Sequence, residues 1–133
     1  MKVRHYLIPL FLSVALCPLA AVQAADTPPT GSWRGVFSNE QGRSVPAVLE
    51  FQRDRVKVNF DMPAACRIDA SFVAKQADGY RYIFRPSVNG GSFCDRIYGS
   101  SFTIKENAKG GLDAAIPTKS TTWRGTLSAS PRP

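Results

Sequence analysis

Three cysteines, one histidine and a scatter of carboxylates and arginines are the side chains of this 133-residue protein that could do chemistry. Their placement excludes more than it permits. The single histidine, His5, stands in an apolar N-terminal stretch. The rest of the chain therefore has no imidazole for a Ser-His or Cys-His nucleophile pair, and none to bind zinc. Cys66 and Cys94 do not form a C-x-x-C motif and have no companion histidine, so a redox or metal pair is disfavoured. In an exported chain an even pair of cysteines reads as one disulfide, Cys66–Cys94. Closing a loop of that length adds about 3.5 kcal/mol in the chain-entropy view. Glu50, Asp61, Asp69 and Asp95 could supply the two carboxylates of a glycosidase, but no spacing singles out a pair. The expectation is a protein that is not an enzyme, with no catalytic residues, no metal and no cofactor.

Export itself is read from the first 24 residues. Lys2 and Arg4 precede an apolar run from Tyr6 to Val22, and Val22-Gln23-Ala24 has the small-x-small pattern of a signal-peptidase site. The run falls short of the roughly 20 residues a spanning helix needs, so cleavage near Ala24 is expected rather than anchoring. Leu16, directly before Cys17, argues against lipidation there. A periplasmic or secreted product follows, with no transmembrane segment in the mature chain. Residues 25–30, with Pro28-Pro29, read as an extended lead-in, residues 31–129 as one β domain and residues 130–133 as a flexible tail.

Removing Lys2 and Arg4 from the 17 basic residues leaves 15 against 10 acidic ones, a net charge of +5. Such a product could meet anionic envelope polymers. Arg34, Arg55, Arg81, Arg85 and Arg124 could form a band that grips phosphate or sulfate, or simply a solvated face. No exposed aromatics are interleaved with them, so nucleic acid is a poor fit as a partner.

These residues must be positioned by strands. Apolar residues recur at every second position: Trp33, Gly35 and Phe37; Val45, Ala47, Leu49 and Phe51; Val56, Val58 and Phe60; Ile68, Ala70 and Phe72; Tyr80, Tyr82 and Phe84; Phe102 and Ile104; Leu112, Ala114 and Ile116; Trp123, Gly125 and Leu127. No window shows a helical period. Tight joins at Arg53-Asp54, Asp78-Gly79 and 107–110 predict an antiparallel meander of about eight strands, closed or nearly closed into a small barrel. Closure sets the first strand beside the last, which accounts for Trp-Arg-Gly occurring in both. Both tryptophans are expected inside and Arg34 and Arg124 outside, with Gly35 and Gly125 relieving crowding.

The same layout puts the long connections 39–43, 62–65, 87–96 and 118–120 on one rim, where binding residues tend to collect. The residues expected to bind a ligand or protein there are Arg43, Asn89, Ser92, Phe93, Asp95, Arg96 and Lys119. Phe93 would anchor, the basic groups would select negative charge, and Asp95 would orient a donor of the partner.

Gly31-Ser32-Trp33 resembles the Gly-x-Trp of lipocalins and avidins, the calycin type of barrel. The resemblance implies a non-catalytic binding protein and an arginine late in the chain packed over the tryptophan, a part that would fall to Arg124. The chain lacks the helix that follows the lipocalin barrel, and eight strands make a barrel that side chains alone can fill. In size, export and single disulfide the chain is also similar to bacterial lysozyme inhibitors, although their Ser-Gly-x-x-Tyr motif is absent and "IYGSSFTI" is only an echo. The leading expectation is an exported lipocalin-like binder using one rim. The alternatives are an inhibitor or immunity-type protein that blocks a cell-wall-active enzyme such as a lysozyme, and a structural envelope component that binds anionic polymer.

Overall fold

A computed structural model describes residues 27–131 and the single position Ala15. The proposed signal peptide and residues 25–26, 132 and 133 lie outside the described residues, Ala15 excepted. Eight strands follow in chain order: β1 (Gly31–Ser38), β2 (Ser44–Phe51), β3 (Arg55–Phe60), β4 (Cys66–Gln76), β5 (Gly79–Ser87), β6 (Ser101–Glu106), β7 (Leu112–Pro117) and β8 (Thr122–Ala129). Each pairs antiparallel with the next, and β1 pairs with β8 to close the barrel. Closure leaves no strand edge open.

The alternation that defines the strands also sorts the two faces. Along β2, Val45, Ala47, Leu49 and Phe51 are buried, and β3 repeats the pattern with Val56, Val58 and Phe60. Among the described residues no polar or charged residue is buried as a whole. The outer wall carries Arg34, Arg55, Lys57, Arg81, Arg85, Lys105 and Arg124. That composition is the opposite of the apolar band a membrane barrel turns to lipid. Among the described residues no helix is long and apolar enough to cross a membrane.

Two sets of ring contacts fill the interior. Tyr82 meets Phe51, Phe72 and Phe102, and Phe102 stacks on Phe84. Phe37, Phe60, Phe93 and Trp123 form the second set, rising to one mouth of the barrel. The Tyr82 hydroxyl is buried without a hydrogen-bond partner. Burial, and secondarily the neighbouring Tyr80, push its ionisation well above the usual phenol range.

At the seam Trp33 pairs with Ala129, Gly35 with Leu127 and Phe37 with Gly125. A Cβ on Gly35 would collide with the Thr126 carbonyl oxygen, and one on Gly125 would stand 3.0 Å from the Val36 carbonyl oxygen. These two glycines are needed because the terminal strands approach so closely. The register also corrects two expectations. Trp123 is buried at one mouth, whereas Trp33 is only half-buried near the other rim, where its Nε1 donates to the Thr30 carbonyl at 3.0 Å. Arg124 pairs with Ser38, several residues along the seam from the Trp33–Ala129 pair, and so does not cover Trp33.

One element departs from the all-strand expectation. Within the connection between β5 and β6, Ser92–Ile97 forms a six-residue helix, α1. Gly90 and Gly91 turn the chain into it with φ of 72° and 105°, values that glycine tolerates and other residues rarely adopt. Phe93, Cys94 and Ile97 face inward, and Cys94 is bonded to Cys66 at the start of β4, with 6.1 Å between the Cα atoms. The disulfide therefore joins the positions expected of it, and it holds α1 down over the barrel mouth.

Candidate functional site

The connections divide as the sequence implies. Turns 52–54, 77–78 and 107–111 lie at one rim, and the connections 39–43, 61–65, 88–100 and 118–121 lie at the other. Three of the latter group fix their own shape. Asn39 Oδ1 accepts from the backbone N–H of Gln41 at 3.1 Å and of Arg43 at 3.0 Å, which sets the β1–β2 turn. Thr118 Oγ1 donates to the Thr121 carbonyl at 2.6 Å and accepts from the Thr121 N–H at 3.2 Å, which sets the β7–β8 turn. The cystine anchors the third.

Between these connections lie two adjoining clefts. One, about 270 Å³, is lined by Asn39, Gln41 and Arg43 on one side and by Arg96, Thr121 and Trp123 on the other. The second, about 480 Å³, adds Val45, Pro63, Ala64 and Ser92. Arg43, Phe93, Arg96 and Trp123 line both. Phe93 and Trp123 stand edge to face with ring centres 5.1 Å apart and form the floor. Among the described residues neither the Arg43 nor the Arg96 guanidinium has a protein partner, and both residues are exposed. The Thr121 hydroxyl in the smaller cleft is also unpartnered. Two free guanidiniums above an aromatic floor can take a carboxylate, sulfate or phosphate whose remainder is apolar.

Of the seven rim residues expected to bind, Arg43, Ser92, Phe93 and Arg96 line the larger cleft. The others are placed differently. Asn89 is spent on structure, its Oδ1 accepting from the Arg67 N–H at 2.9 Å. Asp95 is exposed on α1 and Lys119 is exposed in the β7–β8 turn, and neither lines a cleft. Phe93 is the residue whose role changes most. It is only 6% exposed, with its ring 4.8 Å from that of Phe60, so it plugs the mouth rather than projecting from it. Trp123, Gln41 and Thr121 are additions that the sequence did not announce as site residues. Trp123 reads from its alternation as interior filler, and it is that too. Only the length of the connections around it indicates that its outer edge meets a cleft.

The structure defines a small closed antiparallel barrel with a helical plug at one mouth. Comparison with known proteins finds no matching family model and no significant match to a curated protein or a solved structure.

Proposed function

We propose that this chain is an exported, non-catalytic binding protein that captures an anionic ligand or partner at its plugged mouth. The observation that carries this reading is the pair of unpartnered guanidiniums, Arg43 and Arg96, that share the Phe93–Trp123 floor. The disulfide supports export, because such bonds persist in oxidising compartments. A probe pair tests the mouth. 8-Anilinonaphthalene-1-sulfonate and N-phenyl-1-naphthylamine share a ring system and differ in the sulfonate. The sulfonate is expected to bind in a saturable way, and Arg43→Ala and Arg96→Ala are each expected to weaken it about tenfold. Equal binding of both probes, or variants indistinguishable from the parent, would remove the mouth from consideration.

A second reading, an inhibitor of a cell-wall-active enzyme, is favoured by apolar exposure on the same set of connections. Met62 is 74% exposed, Tyr98 56% and Val88 50%, and all three lie between strands on the long-connection side. Apolar and aromatic groups beside arginine are what protein interfaces are enriched in. Titration into lysozyme and other wall hydrolases distinguishes the two readings, since only the inhibitor predicts stoichiometric loss of activity.

A further inference from the structure

The two clefts at the mouth meet at Arg43, Phe93, Arg96 and Trp123, which line both. What each cleft adds to that shared centre differs. The smaller, about 270 Å³, adds Asn39, Gln41, Thr118, Ser120 and Thr121 from two turns and Ile97 from α1, and of these only Ile97 has no hydrogen-bonding side chain. The larger, about 480 Å³, adds Val45, Pro63 and Ala64, together with Ser44 and Ser92. A cationic centre thus joins a hydrogen-bonding arm to an arm with an aliphatic wall.

The hydrogen-bonding arm has capacity to spare. Asn39 spends its Oδ1 on the N–H groups of Gln41 and Arg43. Among the described residues, Asn39 Nδ2 and the Gln41 side-chain amide have no protein partner. The Thr121 hydroxyl, buried in the wall of the cleft, is also unpartnered. These groups offer both donors and acceptors, which is what a peptide unit needs to have its C=O and N–H met. Charge narrows the choice further. No carboxylate lines either cleft, and Glu40 and Asp95, next in sequence to lining residues, are exposed outside them. An ammonium group at the mouth would therefore stand beside two guanidiniums with nothing to neutralise it.

We infer that the mouth captures the free carboxyl end of a peptide whose last side chain is apolar. This rests on the mouth being the binding site and names what it takes. The α-carbon of a C-terminal residue holds a carboxylate, a side chain and a peptide nitrogen in fixed directions. Arg43 and Arg96 take the carboxylate, and the Val45, Pro63 and Ala64 wall takes the side chain. Asn39 and Gln41 take the last peptide unit. The rival anions each leave one arm unmet. A free amino acid brings an ammonium group where the peptide unit belongs, a fatty acid has no amide, and an acidic sugar has no apolar arm.

The test uses the oxidised protein and reads backbone amide shifts by nuclear magnetic resonance. The probes are N-acetyl-Ala-Phe, its C-terminal amide, N-acetyl-Ala-Lys, free phenylalanine, octanoate, galacturonate and the naphthalene sulfonate dye. N-acetyl-Ala-Phe is expected to shift residues 39–43, α1 and residues 118–121. It should bind at least about tenfold tighter than its amide, free phenylalanine or the Lys-ended peptide. Arg43→Ala and Arg96→Ala are each expected to weaken it about tenfold, and Gln41→Ala about fivefold. Ala64→Glu sets a carboxylate in the aliphatic wall and is expected to reverse the preference toward the Lys-ended peptide. Thermal midpoints confirm that the variants are folded. If the dye binds while the peptide acid does not, or the acid binds no better than its amide, the inference falls and the anion site at the mouth stands. Octanoate or galacturonate binding as tightly as the peptide overturns it in favour of a fatty acid or an acidic sugar. If neither dye nor peptide binds, the inference and the reading beneath it fall together.

Discussion

Replacing Phe93 by alanine separates a plug from an exposed anchor. Were the ring projecting into solvent, its loss would cost little stability. The structure instead buries it against Phe60 at 4.8 Å and Trp123 at 5.1 Å, both edge to face. Truncating a buried phenylalanine typically costs about 3–5 kcal/mol, a range that includes the lost ring pairs. The vacated space lies at a barrel mouth, where water and the neighbouring arginine stems can enter, so the lower half of that range is expected, about 3–4 kcal/mol. For a domain of this size each kcal/mol moves the thermal midpoint by about 4–8 °C, so Phe93→Ala should melt at least about 12 °C below the parent. Urea unfolding of the oxidised protein, followed by far-ultraviolet circular dichroism so that Trp123 emission is not the reporter, measures the change at constant m. Ser92→Ala, its exposed neighbour on α1, should stay within about 0.5 kcal/mol. A loss below about 1 kcal/mol for Phe93→Ala would mean that α1 is held down by the cystine alone and that its ring contributes nothing to the seal.

Three further perturbations follow from the core and the seam. Tyr82→Phe removes a buried hydroxyl that has no partner, so at neutral pH it should be neutral or stabilising by about 1 kcal/mol in urea unfolding. Its signature is in alkali: the native phenol holds its proton where the unfolded one loses it near pH 10, so parent stability is unaffected below that pH and falls by about 1.4 kcal/mol per pH unit above it, a component that the variant should lack. Gly35→Ala should cost about 1–3 kcal/mol, because its Cβ meets the Thr126 carbonyl, a backbone atom that cannot swing aside; a variant as stable as the parent would mean that the seam is looser than described. The paired Cys66→Ser and Cys94→Ser variant should lose about 3.5 kcal/mol, most of it through the unfolded chain, and hydrogen exchange should speed up first in α1.

How much of this was legible in the sequence depended on the length of each pattern. β2 alternates over Val45, Ala47, Leu49 and Phe51, and a run of that length fixes both the strand and its inward face. Closure could be read from the matched terminal motifs together with the tight turns. Helix α1 escaped because six residues make fewer than two turns, too few for a period to repeat. Its one signature was Phe93 and Ile97 at i and i+4 with Cys94 between them, all inward. The mouth was half legible. Arg43 and Arg96 converge because their connections belong to the same rim, which topology supplies, but whether Asn89 would point into the cleft or bind Arg67 depends on a turn the sequence does not encode visibly. Least legible was the arrangement of charges on the outer wall. Arg34 and Arg124 were expected on a common face, yet how far apart they stand on it exists only once the β1–β8 register is known.

The seam has a consequence for how the molecule could be rebuilt. The Ser130 N–H donates to the Ser32 carbonyl at 2.8 Å and Ser130 Oγ accepts from Arg34 Nε at 3.2 Å, so the barrel's first and last residues are already neighbours. A few linking residues would join them into a circle, and cutting the turn between Ala77 and Asp78 would supply new ends on the same rim. Such a circular permutant would keep every strand neighbour while turning the β8–β1 pairing from the longest-range contact in the chain into a local hairpin.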